Sequence, residues 1–391
     1  MIKIIATLLT LFAFSVSQAK EVKVGIILGF TGPIESLTPD MASGAELAFK
    51  EASASGELLN GSTIKSIRAD STCIDSAAAA SAAEYLINQG ITAIMGADCS
   101  GVTGAVLSNV AVPNGVPMIS PSATSPGLTT AEDNGLFFRT APSDARGGQV
   151  LADITSDRGI TSVAITYVNT DYGVGLADVY EAAAKERGIE VTAKTAHEGD
   201  KADYSAEVGV LSSAGGDALV VIGYLDQGGN QIIQGSLDSG AFDTFVLSDG
   251  MIGDSLTETF GSDLDGSFGS IPGSLGAGAQ KFKTYAEANG VNPSVYVGES
   301  YDAAALIALA IAMGKSDDSA SIAANIMKVA NGPGTKIYAG ELKKGLALAS
   351  VGAAVDYDGA TDVNFTSVGE AFGAFIEKGI EGGKFVDVSQ R

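Results

Sequence analysis

Residues 162–187 read SVAITYVNTDYGVGLADVYEAAAKER. Ser162 to Val168 is a short run rich in apolar and β-branched residues. Asn169-Thr170-Asp171-Tyr172-Gly173 interrupts it with polar and turn-forming residues, and Leu176 to Arg187 then reads as an Ala-rich helix. The order of strand, polar loop and helix is half of a βαβ unit. It recurs along the chain. Further strand-like runs are Val22 to Leu28, Thr63 to Arg68, Thr92 to Met95, Val116 to Ile119, Ala218 to Tyr224 and Phe245 to Leu247. Helical stretches at Met41 to Ala54, Ser76 to Gln89 and Tyr204 to Ala214 lie between them. This alternation implies an α/β fold with parallel sheets and helices on both faces. Two such series, split near Arg139 to Asp144, suggest two similar lobes. No low-complexity linker separates the halves, so several crossings between lobes are as compatible with the sequence as one hinge.

The chain begins with Lys3 and an apolar run from Ile4 to about Val16, followed by Ser17-Gln18-Ala19. A short positive region, an apolar segment and small residues at a cleavage site form a secretory signal, with cleavage expected before Lys20. The apolar run is shorter than the roughly 20 residues of a membrane span. No Cys follows the cleavage site, so a lipid anchor is not expected. The remaining chain, about 370 residues, suits two domains. Ala303 to Met313 is a second apolar run, flanked by Asp302 and Lys315, and reads as a buried helix. The formal net charge of -23 disfavours nucleic acid and anionic lipid as partners. Two cysteines, Cys73 and Cys99, would in an oxidising compartment form a disulfide sooner than a metal site or a nucleophile, with two free thiols as the alternative. A disulfide there would close a loop of about 25 residues, worth roughly 3 kcal/mol.

Polar, Gly- and Pro-containing segments follow the carboxyl ends of the strands. They are Phe30-Thr31-Gly32-Pro33, Asp98-Cys99-Ser100-Gly101, Ser120-Pro121-Ser122-Ala123-Thr124, Asn169 to Gly173, Gly223-Tyr224-Leu225-Asp226 and Ser248-Asp249-Gly250. Open α/β sheets bind ligands at that edge, where helix N-termini and free N–H groups point outward. Catalytic patterns are missing. His197 is the only histidine and reads as a solvated residue in a loop after a strand. No Gly-x-Ser-x-Gly elbow accompanies it, and a zinc site would lack ligands, so neither an enzyme nor a metal or other cofactor is expected. Gly314-Lys315-Ser316 is not a phosphate loop, because Leu309 stands where the first Gly belongs. No Gly-x-Gly-x-x-Gly follows the first strand. Asp263 and Asp265 read as a surface loop.

Several segments together carry a family pattern. They are Val24-Gly25 through Thr31-Gly32-Pro33, Gly44-Ala45-Glu46-Leu47-Ala48, Ile119 to Thr124, Phe138-Arg139-Thr140-Ala141-Pro142-Ser143-Asp144, Asp171-Tyr172-Gly173-x-Gly175-Leu176-Ala177, Asp203-Tyr204-Ser205 and Asp249-Gly250. In order and spacing the chain resembles the leucine/isoleucine/valine-binding branch of periplasmic solute-binding proteins, from about Val22 to at least Ala312. The resemblance implies the type I periplasmic-binding fold, two Rossmann-like lobes joined by about three crossings, near Ala141, Ser270 and Val351. The expected division is residues 20–141 plus 271–350 in one lobe and 142–270 plus 351–391 in the other, after a signal at 1–19. It implies hinge closure on a small ligand, an amino acid, delivered to the membrane permease of an ABC transporter by a monomer in the periplasm. A ligand sensor for an amide, polyamine or other small metabolite is the alternative. The ligand carboxylate would rest on Ser100, Ser122, Ala123 and Thr124, with Ser122 contributing backbone only or its hydroxyl as well. Tyr172, Tyr224 and Asp249 would face it, Asp249 pairing with the ammonium. Some family members also bridge the loops that hold Cys73 and Cys99, which would stiffen the segment presenting Ser100. The loop Pro33-Ile34-Glu35-Ser36-Leu37 departs from the pattern by lacking an aromatic. Glu35, Asp98, Asp171 and Asp226 are either solvated or mark a ligand with a second positive charge.

Overall fold

The computed structural model describes residues 19–391, so the expected export segment lies, except for Ala19, outside the described residues. Strands that follow one another through helices pair in two main sheets. In the first the order is Glu370–Ala371, Phe137–Pro142, Met118–Ser120, Ile94–Gly96, Glu21–Leu28 and Thr63–Asp70, all parallel. In the second it is Lys384–Gln390, Phe375–Glu381, Phe268–Pro272, Phe245–Leu247, Ala218–Ile222, Ser162–Val168 and Glu190–His197. Only the C-terminal hairpin, Phe375–Glu381 with Lys384–Gln390, runs antiparallel there. Ala218–Ile222 is buried at every residue. That explains its unbroken apolar run, because a parallel strand covered by helices on both faces has no polar side.

The lobes are joined where Phe137–Pro142 passes into helix Asp144–Asp157, and where Phe268–Pro272 leads to helix Ala277–Ala288. Ala141 and Ser270 lie in the strands that enter these two junctions. The third differs. Val355–Gly359 pairs in parallel with Thr335–Tyr338 among first-lobe helices, and Glu370–Ala371 adds to the edge of the first sheet. The chain therefore crosses between Ala371 and Phe375 and not at Val351. The contacts that hold this segment in the first lobe are long-range. Phe365 stacks on Phe138, with centroids 6.2 Å apart, and Glu370 pairs with the fully buried Arg139 at 2.5 Å.

Helix Val297–Gly314 is, among the described residues, the one helix long and apolar enough to cross a membrane. It is the buried core helix of the first lobe. It packs against Thr38–Ala54, Ser319–Ala330 and Leu342–Ser350. Its Asp302 is buried yet satisfied, accepting from the Tyr357 hydroxyl at 2.7 Å, the Ala360 amide at 2.8 Å and the Thr361 hydroxyl at 2.7 Å. Burial still pushes that carboxyl up to about 7. His197 corrects the sequence expectation. It ends strand Glu190–His197, is buried, and its Nδ1 shares a 2.8 Å hydrogen bond with the Thr166 hydroxyl. Burial pushes it down to about 4, so it is neutral at pH 7.

Candidate functional site

The loops at the carboxyl ends of the two sheets face each other across the junction of the lobes. The first lobe brings Ile34 and Leu37 from the loop after Glu21–Leu28, Ser100 at the start of helix Ser100–Val106, and Ser122 just after Met118–Ser120. The second brings Tyr172 from the first turn of Asp171–Glu186, Tyr224 after Ala218–Ile222, and Asp249 after Phe245–Leu247. Together they enclose a cavity of about 20 Å³. Five of the seven expected ligand residues thus line one space. Ala123 and Thr124 are buried but do not line it.

The acidic side of the cavity is held by tyrosines. The Tyr172 hydroxyl donates to Asp249 Oδ1 at 2.6 Å, and the Tyr296 hydroxyl donates to Asp249 Oδ2. The Tyr172 and Tyr224 rings stack, with centroids 5.2 Å apart. Asp144, in the first turn of its helix, is a second buried carboxylate nearby. Burial raises the pKa of both, and the charge of Asp249 adds to the rise at Asp144. Among the described residues no lysine or arginine lines the cavity, and only the charge of Arg139 offsets part of the rise at Asp144, so the arrangement favours an incoming positive group. Asp144 Oδ2 and the Thr124 hydroxyl are neighbours, and among the described residues neither has a hydrogen-bond partner of good geometry.

The opposite side is rich in hydroxyls and free of exposed cations. Ser100 Oγ accepts from the Ser125 amide at 3.1 Å, and Ser122 Oγ donates to the Asp98 carbonyl at 3.1 Å. Arg139 fixes the segment behind them. Its guanidinium donates to the carbonyls of Ala123 at 3.0 Å and Ser125 at 2.9 Å, and to Thr129 Oγ1 at 2.8 Å. Those bonds and Glu370 consume its donors, so it positions the loop and does not reach the cavity. Cys73 and Cys99 are bonded to each other. Cys99 immediately precedes Ser100 and itself lines the cavity.

The remaining acids separate. Asp98 is buried and fully used, accepting from the Gly29 amide at 2.6 Å, the Ser71 hydroxyl at 2.9 Å and the Cys99 amide at 2.9 Å. It anchors the loop and also lines the cavity. Glu35 and Asp171 are exposed. Asp226 bridges the lobes, with its Oδ2 accepting from the Ser36 amide and its own amide donating to the Pro33 carbonyl, both at 2.9 Å. Sequence reasoning missed Tyr296 and the role of Asp144. Tyr296 precedes the buried helix with φ of 62°. Only its position after Asn292-Pro293-Ser294, in a turn next to a core helix, hinted at it.

The periplasmic binding protein family matches residues 21–341. A Leu/Ile/Val-binding protein homolog 1 of Brucella melitensis is 31% identical over 325 residues, covering 81% of this chain and 85% of that protein. The homolog 3 of the same organism is 32% identical over 220 residues, and there the match spans 55% of this chain and 58% of the relative. Among solved structures, a leucine binding protein of Thermotoga maritima has a TM-score of 0.79 at 23% identity, covering 94% of this chain and 98% of its own. A branched-chain amino acid transporter substrate binding protein of Streptococcus pneumoniae, in complex with isoleucine, has a TM-score of 0.77 at 23% identity, covering 94% and 100%. The structural likeness establishes the shared two-lobed fold.

Proposed function

The chain belongs to the periplasmic binding protein family, whose members bind solutes and do not catalyse reactions, and we propose that its interlobe cavity captures an amino acid with an apolar side chain for an ATP-driven importer. One observation carries this reading. A buried carboxylate, Asp249, held by Tyr172 and Tyr296, stands across the cavity from the hydroxyl-bearing Ser100 and Ser122. An ammonium would pair with Asp249. A carboxylate would be met by hydroxyls and by backbone N–H groups around Ser100 and Ser122, with Thr124 close behind. Ile34 and Leu37 offer the side chain an apolar wall. Of Glu35, Asp98, Asp171 and Asp226 only Asp98 lines the cavity, and its oxygens already hold three protein donors, which favours an apolar ligand side chain over a basic one.

A space of about 20 Å³ holds roughly one water. Entry of an amino acid therefore needs the lobes to part and then close around it by a hinge motion. Asp226 would contribute to the closed form through its two bonds to the Pro33–Ser36 loop. The reading includes export to the periplasm, removal of residues 1–19, action as a monomer, and docking of the closed form on a permease.

Titration calorimetry with leucine, isoleucine and valine tests it. Asp249→Asn is expected to weaken binding by about tenfold or more, because an ammonium loses its buried counter-charge. Unchanged affinity in that variant would remove Asp249 from the site. Binding of polyamines or amides with no response to any amino acid would favour the sensor alternative.

A further inference from the structure

Tyr296 separates the first cavity from a larger groove of about 830 Å³, which it also lines. Walls of this groove come from both lobes, Asp40, Tyr296 and Glu299 on one side and Ile252, Ile376 and Phe385 on the other. It carries six carboxylates against two lysines. Most of these are accounted for or free in solvent. Asp40 accepts from Asn292 and Ser294, and Lys378 is paired with Asp387. Lys283 and Glu287 lie along helix Ala277–Ala288, and Asp254 and Glu258 along Asp254–Phe260.

Glu299 is different. It is 4% exposed, yet among the described residues its carboxylate receives no hydrogen bond from another residue and no ion pair. Asp302, one turn later on the same helix, shows what a satisfied buried acid looks like here, with donors from Tyr357, Ala360 and Thr361. Its own amide is the one backbone donor acting on it, and its oxygens open onto the groove, where an arriving donor can reach them. Glu299 also sits at the hinge. Its carbonyl accepts from Thr140 Oγ1 at 2.9 Å in the first crossing, and Gly273 of the second crossing lies against its carboxylate.

We propose that this groove is a second binding site, for a small organic amine with an apolar body, whose ammonium pairs with Glu299 while its body packs on Ile252, Ile376 and Phe385. The volume and the apolar far wall suit such a molecule better than a bare metal ion, since among the described residues no three acidic, His or Cys side chains cluster closely enough to hold one. Burial holds the Glu299 carboxyl up at about 8, with Asp302 the neighbouring charge that adds to the rise. Binding a cation at pH 7 therefore expels a proton, about 0.9 per amine.

The test uses the mature protein with 2-phenylethylamine and 1,5-diaminopentane as probes, by calorimetry at about 1 mM in two buffers of different ionisation enthalpy. The expected result is binding that releases close to one proton, weakened about tenfold by Glu299→Gln and unaffected by Asp249→Asn. Phe385→Ala, which leaves the carboxylate in place, should weaken 2-phenylethylamine more than the diamine. Amine binding lost in Asp249→Asn and intact in Glu299→Gln would assign the amine to the first cavity and overturn the proposal. No binding of either probe would overturn it as well. Amino-acid binding is read separately in the same variants, so failure of either reading leaves the other standing.

Discussion

Replacing Glu299 by Gln should reverse part of the protein's pH dependence of stability. In the unfolded chain this carboxyl ionises near its ordinary value of 4.5, and in the native protein burial holds it protonated up to about 8. Between those values the native state carries a proton that the unfolded state does not, so wild-type stability falls as pH rises through that window. The span is about 3.5 units, and each unit is worth about 1.36 kcal/mol, giving roughly 3–5 kcal/mol at most. The amide keeps the shape of the protonated acid and cannot ionise. Below pH 4.5 the two proteins should be nearly equal in stability. Above it the variant should gain on the wild type by about 1.4 kcal/mol per unit, levelling near pH 8. Urea unfolding of both proteins at half-unit steps from pH 4 to 9 measures the difference directly, and the other buried acids cancel in it. A difference that stays flat across that range would show that Glu299 ionises normally, and the account of an unpaired carboxyl held neutral by burial would be wrong.

Three further outcomes are expected. The double change Cys73→Ser and Cys99→Ser releases a crosslink spanning 26 positions, which in the chain-entropy model costs about 3.5 kcal/mol. Calorimetry should show the first lobe melting on the order of 8 °C lower, with weaker ligand binding because Ser100 loses its anchor. Asp226→Ala removes the side-chain half of the bridge to the Pro33–Ser36 loop. Its loss should lower ligand affinity by about 3- to 10-fold and shift small-angle scattering toward the open form, whereas unchanged scattering and affinity would deny it a part in closure. His197 is held down at about 4 by burial, so its contribution to stability is present above pH 6.5 and is lost as pH falls toward 4. His197→Gln should flatten unfolding curves between those values, and an unaltered slope would contradict the buried assignment.

Much of the architecture was legible because hydrophobic periodicity is a local signal. Ser162–Val168 and Ala218–Ile222 are apolar runs that suit buried parallel strands, and the polar loops after them marked the edge where the cavity lies. Five of the seven expected site residues meet at one cavity for the same reason, since each follows a strand at its carboxyl end. Elements that depended on distant partners were misread. The segment after Val351 stays in the first lobe because Phe365 and Glu370 find Phe138 and Arg139, more than 200 positions away. His197 read as a solvated loop residue, but strand Glu190–His197 carries it inward to Thr166.

The sequence by itself determined the α/β alternation and the polar loops at the sheet edges where the cavity lies. These follow from patterns a few residues long, whereas the structure decided that the two cysteines are bonded. The tertiary structure alone decided which acids matter. Asp98, Asp144, Asp226, Asp249 and Glu299 are chemically near-identical in a string of letters. Burial and the donors around each one separate a loop anchor (Asp98), a carboxylate beside Thr124 (Asp144), an inter-lobe bridge (Asp226), a carboxylate held by two tyrosines (Asp249) and a carboxylate at the hinge that opens onto the groove (Glu299). Desolvation and hydrogen bonding depend on neighbours in space, and no local pattern along the chain carries that information.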